Sequence, residues 1–146
     1  MSGMSTYLEN TIVDFLFRAQ AYTPPPTLYV ALYTAEPAAS GGGTEVSGGS
    51  YARAATTSGL AGWAGTQGAG TTAASNGTSA TTSNNGAITF PAPTADWGVI
   101  TAFGILDAAS GGNLLFYGIL TNAKTVNDGD AAPAFAAAAL SIQIDS

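Results

Sequence analysis

Two apolar runs on either side of one turn-forming cluster constrain this chain most. Val99–Leu106 and Leu114–Leu120 flank Ser110-Gly111-Gly112-Asn113, and residues with easy access to positive φ are what a tight reversal needs. The pattern predicts a β-hairpin of two central strands. In a regular strand Val99, Phe103 and Ile105 share one face, with Ile100, Ala102 and Leu106 on the other. Both faces are apolar, so the hairpin is expected to be covered on both sides, as in a sandwich or barrel.

The rest of the chain fits that frame. Its 146 residues suit one domain, 1–146, long enough to bury a core without covalent staples. Residues 5–20 predict the single helix: Thr6 and Glu9 have the spacing of a capping box. Leu8, Ile12, Phe15, Leu16 and Ala19 recur at helical spacing. The apolar face either packs on the sheet or docks on a neighbouring subunit. The helix must end before Pro24-Pro25-Pro26. Thr27–Tyr33 alternates Leu28, Val30 and Leu32 with Tyr29, Ala31 and Tyr33, a second central strand. Ala87–Phe90 predicts another strand, Lys124–Val126 a strand end, and Ala138–Ile144 a closing strand with Leu140, Ile142 and Ile144 on its dry face. The expected fold is all-β, a β-sandwich or jelly-roll over residues 27–53 and 86–146, with one N-terminal helix.

Residues 54–85 are rich in Ala, Gly, Ser and Thr, with Trp63 as their one large aromatic. A structureless loop of that length is uncommon in a compact domain unless it has a task. The segment is expected to be an extended loop or arm that orders on a neighbour, anchored by Trp63, or else a solvated loop.

Composition restricts function. Charged residues make up 8% of the chain, against roughly 25% in average soluble proteins. A surface so bare of charge fits a protein covered by other subunits. The net charge is −6, and the three cations, Arg18, Arg53 and Lys124, are scattered. They form no basic patch, so direct nucleic-acid binding is not expected. No apolar run is long enough for a membrane span, and no signal peptide is predicted. There is no His and no Cys, which excludes a Ser-His-Asp triad and thiolate chemistry. Asp128 and Asp130 lack the further oxygen ligands of a calcium loop, with Ala139 at its twelfth position. Asp96 and Asp107 could form a glycosidase pair across the hairpin ends, but each reads better as a turn-capping residue. Trp63, Trp97, Tyr51 and Tyr117 could make a sugar-binding aromatic face, although aromatics in such folds more often fill the core. No catalytic residue, metal ligand or cofactor is assigned.

Several segments together carry a resemblance. They are Tyr7-Leu8-Glu9-Asn10 with Leu16-Phe17-Arg18, Thr27 to Pro37, Gly48-Gly49-Ser50-Tyr51-Ala52-Arg53, Ala95-Asp96-Trp97-Gly98, and Gly104-Ile105-Leu106-Asp107 with Gly111 to Leu115. They resemble a family of small virion proteins of tailed bacteriophages, often labelled tail fibre protein. The resemblance implies a structural, non-enzymatic virion protein. Two roles follow: a capsid decoration or cement protein on the major capsid protein, or a tail fibre, tail-tip or adaptor component. The chain has no repeats or heptads for a fibre shaft, which leans toward decoration. The partners implied are the major capsid protein or other virion subunits, with a homo-oligomer, dimer or trimer, as the common arrangement. Trp63, Tyr51, Arg53, Phe15 and Arg18 are the residues expected at such contacts.

Overall fold

The computed structural model describes residues 2–65, 73–76 and 79–144. The order along the chain is β1 (Ser2–Met4), α1 (Thr6–Phe17), β2 (Thr27–Ala35), β3 (Thr44–Glu45), β4 (Ala54–Thr57) and β5 (Thr81–Ser83). Then follow β6 (Ile88–Thr89), β7 (Gly98–Leu106), β8 (Leu114–Val126), β9 (Ala134–Phe135) and β10 (Ser141–Gln143). An all-β domain with a single helix is what the structure shows. A six-stranded antiparallel sheet runs β1-β8-β7-β2-β3, with β4 also paired to β2. Two ribbons, β5 with β10 and β6 with β9, pack over one face of it.

The hairpin is the centre, as its two apolar runs require. β7 pairs with β8 on one side and β2 on the other. Its turn is clipped by Asp107, whose two carboxylate oxygens accept from the backbone N–H of Asn113 at 2.7 Å and from Asn113 Nδ2 at 2.8 Å. Gly112 has φ +74°, and a Cβ there would stand 2.4 Å from Asp107 Oδ1, so the turn needs glycine.

The regular alternation along β7 fails at one point. The register with β8 shifts between Ile100 and Ala102, and an irregularity of that kind moves every later side chain to the opposite face. Ile100 therefore joins Phe103 and Ile105 in the main core, together with Val30, Leu32 and Val126. Val99, expected beside them, is exposed. Ala31, Tyr33, Ala102 and Leu106 form a smaller cluster on the second face.

The helix starts one residue earlier in its capping than the Thr6/Glu9 pattern predicts. Ser5 is the N-cap: its Oγ accepts from the Leu8 N–H at 3.2 Å and its hydroxyl donates to the Leu114 carbonyl. It also ends sooner than residue 20. Ala19 takes φ +54°, and the N–H groups of Arg18 and Gln20 both close on the Asp14 carbonyl, a left-handed stop of the kind that terminates helices.

The 54–85 segment begins and ends in strands of the body. β4 pairs with β2, and β5 pairs with β10. Trp63 bridges Asn84 and packs against the main core. Residues 66–72, 77 and 78 of that segment lie outside the described residues. At the other end of the chain, Leu140 and Ile142 are buried as their spacing predicts, while Ile144 is exposed.

Candidate interaction surfaces

The five residues expected at contacts fall in three places. Tyr51 and Arg53 come together on Glu45, inside the domain. The Arg53 Nε and Nη2 donate to the two Glu45 carboxylate oxygens, each at 2.8 Å, and Nη1 donates to the carbonyls of Ala108 and Gly111 at 2.7 and 2.8 Å. The guanidinium thus ties β3 to the turn of the central hairpin, and its side chain is only 8% exposed. The Tyr51 hydroxyl donates to Glu45 at 3.0 Å and accepts from the Leu32 N–H at 2.9 Å. Its ring meets Trp97 edge-on at 5.3 Å, and the Trp97 Nε1 donates to the Gly49 carbonyl. These residues hold the body together.

Burial, then the nearby Glu45 carboxylate, keeps the Tyr51 phenol above its ordinary value of 10.0, against the pull of the Leu32 bond. A proton held more tightly in the folded state stabilises the fold fully below the unfolded value and less as pH climbs past it. Stability is therefore expected to fall as pH rises above 10, with Tyr22 and Tyr33, also shifted upward, acting in the same sense. Urea midpoints measured between pH 8 and 11 check this, and Tyr51→Phe should flatten the fall.

Neither chemical alternative weighed from the sequence assembles. Asp96 and Asp107 stand at opposite ends of β7, roughly 30 Å apart at the rise of an extended strand. Asp96 accepts from the Asp128 N–H, and Asp107 clips the hairpin turn. The aromatic residues are dispersed as well. Trp97 is core, Trp63 lines a cleft, and Tyr117 covers Gly3 of β1.

Phe15 and Arg18 lie on α1, which presents the first candidate surface. β1 pairs with the edge of β8, and the N–H groups of Ser5 and Thr6 bond to the carbonyls of Leu115 and Ala39, so the start of the helix is fixed. Leu8 is the one buried residue of α1. Beyond it the apolar stripe is left open by the described residues: Phe15 is 51% exposed, Leu16 63% and Phe17 82%, with Ile12 and Val13 also exposed. Arg18 pairs with Asp14 at 2.9 Å on the same helix, in the open, a pair of small energetic consequence. Large apolar side chains grouped on one exposed helix make this face a candidate interaction site.

The second candidate is a cleft of about 620 Å³ on the main-core face of the sheet, walled by Leu28, Leu60, Trp63, Phe116, Ile142 and Ile144. It was not legible in the sequence, because its described walls come from seven separate stretches.

An antiparallel β-body with no His or Cys, presenting an uncovered apolar helix, has the features of a structural subunit. The comparison with known families agrees. The model of a family described as podophage GP4 fiber I protein gp80 matches residues 3–143, and the chain belongs to that family. It is a structural component of a bacteriophage virion. No curated protein matches the chain.

Proposed function

We propose that the protein is a globular subunit of the fibre, in a tip or adaptor position, and that α1 joins it to neighbouring virion proteins. The observation that carries this reading is the exposure of Phe15, Leu16 and Phe17 on a helix held only at its start. A soluble domain with those side chains in water gains when another protein covers them. The fibre side is supported by the description of the family. The lack of shaft-forming repeats supports a non-shaft position. A decoration protein on the major capsid protein is the second reading, favoured by the low charge of the chain, and it would use the same helix against a different partner. The protein is read as non-enzymatic in either place.

Labelled-antibody electron microscopy of purified particles, with copy number from quantitative mass spectrometry, separates the two. Label at the tail with few copies per particle is expected. Hundreds of copies spread over the head would overturn the fibre reading in favour of decoration.

A further inference from the structure

We propose that the depression beside Tyr33, on the second face of the sheet, is a binding site for a neutral saccharide. The site is independent of the reading of α1 as an assembly element. The fixed start of the helix borders the depression, and the exposed end does not.

Tyr33 is the residue that calls for a ligand. It sits in the smaller apolar cluster with Ala31, Ala102 and Leu106 and is only 4% exposed. Its ring lies across Gly104, where a Cβ would stand 2.9 Å from Cε2 and 3.4 Å from the hydroxyl oxygen, so glycine makes room for it. A buried tyrosine hydroxyl ordinarily finds a partner. This one makes no hydrogen bond among the described residues. Unlike the Trp63 Nε1 it is not sealed from solvent, so a ligand can reach it. Burial, then the nearby Glu45 carboxylate, holds the phenol above 10.0. At neutral pH it therefore keeps its proton and can donate as well as accept.

The walls set the chemistry of the occupant. The depression holds about 570 Å³, within the range of about 300–1,000 Å³ that ligand pockets use. Thr6 and Asn10 bring an exposed hydroxyl and an exposed amide whose side chains have no partner among the described residues. Asn113 gives its Nδ2 to Asp107, which leaves its Oδ1 to accept. Leu114 and the ring of Tyr7, 43% exposed, add apolar surface. Arg53 is the one charged residue among the described walls, and its guanidinium is already committed to Glu45 and the hairpin turn. An anion thus finds no free cation in these walls, and a cation finds no free carboxylate. A sugar ring matches what is left. Its edge hydroxyls suit Tyr33, Asn10 and Asn113, and its C–H face suits Tyr7 and Leu114. The volume fits about one or two rings. The dispersed aromatic residues Trp63, Trp97, Tyr51 and Tyr117 take no part in this site.

The test is an NMR titration of the isotope-labelled full chain. Glucose, galactose, N-acetylglucosamine and lactose are each added to about 50 mM, with inorganic phosphate and glucuronate as charged counterparts. At least one neutral sugar is expected to shift the amides of Tyr7, Asn10, Tyr33 and Asn113 saturably, with a Kd of about 1 mM. Tyr33→Phe is expected to weaken that binding about tenfold. Its melting temperature should be unchanged or higher, because the hydroxyl has no partner to lose. Asn10→Ala is expected to weaken binding as well. The Leu16→Glu with Phe17→Glu variant is expected to bind the sugar as the wild type does, which separates this site from the role of α1 in assembly. No saturable shift with any of the neutral sugars would overturn the proposal. So would shifts of these amides by phosphate or glucuronate alone, or an unchanged sugar affinity in folded Tyr33→Phe. If the sugars fail while the helix variant is excluded from virions, the reading of α1 stands and only the site falls.

Discussion

Asn84→Ala is expected to lower stability by about 4 kcal/mol and the melting temperature by roughly 12 °C. Asn84 is fully buried. Its Nδ2 donates to the carbonyls of Gly86 and Ala136 at 2.7 and 2.8 Å, and its Oδ1 accepts from the Leu140 N–H at 2.9 Å. Its backbone carbonyl also accepts from Ala138 at 2.7 Å. One side chain thereby fastens the end of β5 to the 136–140 loop, which leads into β10. Alanine leaves the buried Leu140 N–H without a partner, at about 1–3 kcal/mol, and removes the bonds to the partly buried carbonyls of Gly86 and Ala136, at about 0.5–1.5 kcal/mol each. Asn84→Asp keeps the acceptor but turns a carboxylate toward two carbonyls, and is expected to be worse. Urea unfolding measures the loss; a change below about 1 kcal/mol would mean that water replaces the amide.

Arg53→Met is the second large effect, a loss of about 3 kcal/mol. Methionine retains most of the aliphatic stem, so packing is largely kept and the lost bonds dominate. The Glu45 carboxylate loses both of its guanidinium bonds, and the Ala108 and Gly111 carbonyls lose their donor. Glu45 is 26% exposed, so water enters on that side and holds the cost below that of a wholly buried pair. Arg53→Lys is expected to recover only part of the loss, because a point charge cannot match a planar fork that reaches a carboxylate and two carbonyls at once. Hydrogen exchange of the 107–113 turn should quicken in Arg53→Met. Unchanged protection there would show that the Asp107–Asn113 clip holds the turn unaided.

What the sequence made legible was what hydrophobic periodicity writes. The β7–β8 hairpin, the two-faced β2 and the amphipathic helix all follow from it. Periodicity does not encode a register shift, because that depends on the partner strand. So Val99 reads as core and Ile100 as the opposite face, when the shift beside Thr101 reverses them. Strands β4 and β5 are built from Ala, Thr and Ser, whose small side chains carry no alternation strong enough to distinguish a strand from a loop. Tyr51 and Arg53 are residue types that serve equally at interfaces and in buried clasps. Only the placement of Glu45 beneath both reveals the clasp. On α1 the sequence left open whether the apolar stripe packs inward or outward. Leu8 does the first, and Phe15, Leu16 and Phe17 do the second.

The central claim is that those three side chains exist to be covered in the particle. The direct measurement is incorporation. Phage lacking the wild-type protein is complemented with the Leu16→Glu and Phe17→Glu variant, and its copies per purified particle are counted by mass spectrometry. The variant should fold with an unchanged melting temperature and be nearly absent from particles. Incorporation at the wild-type level would contradict the account and leave α1 as a helix with no part in assembly.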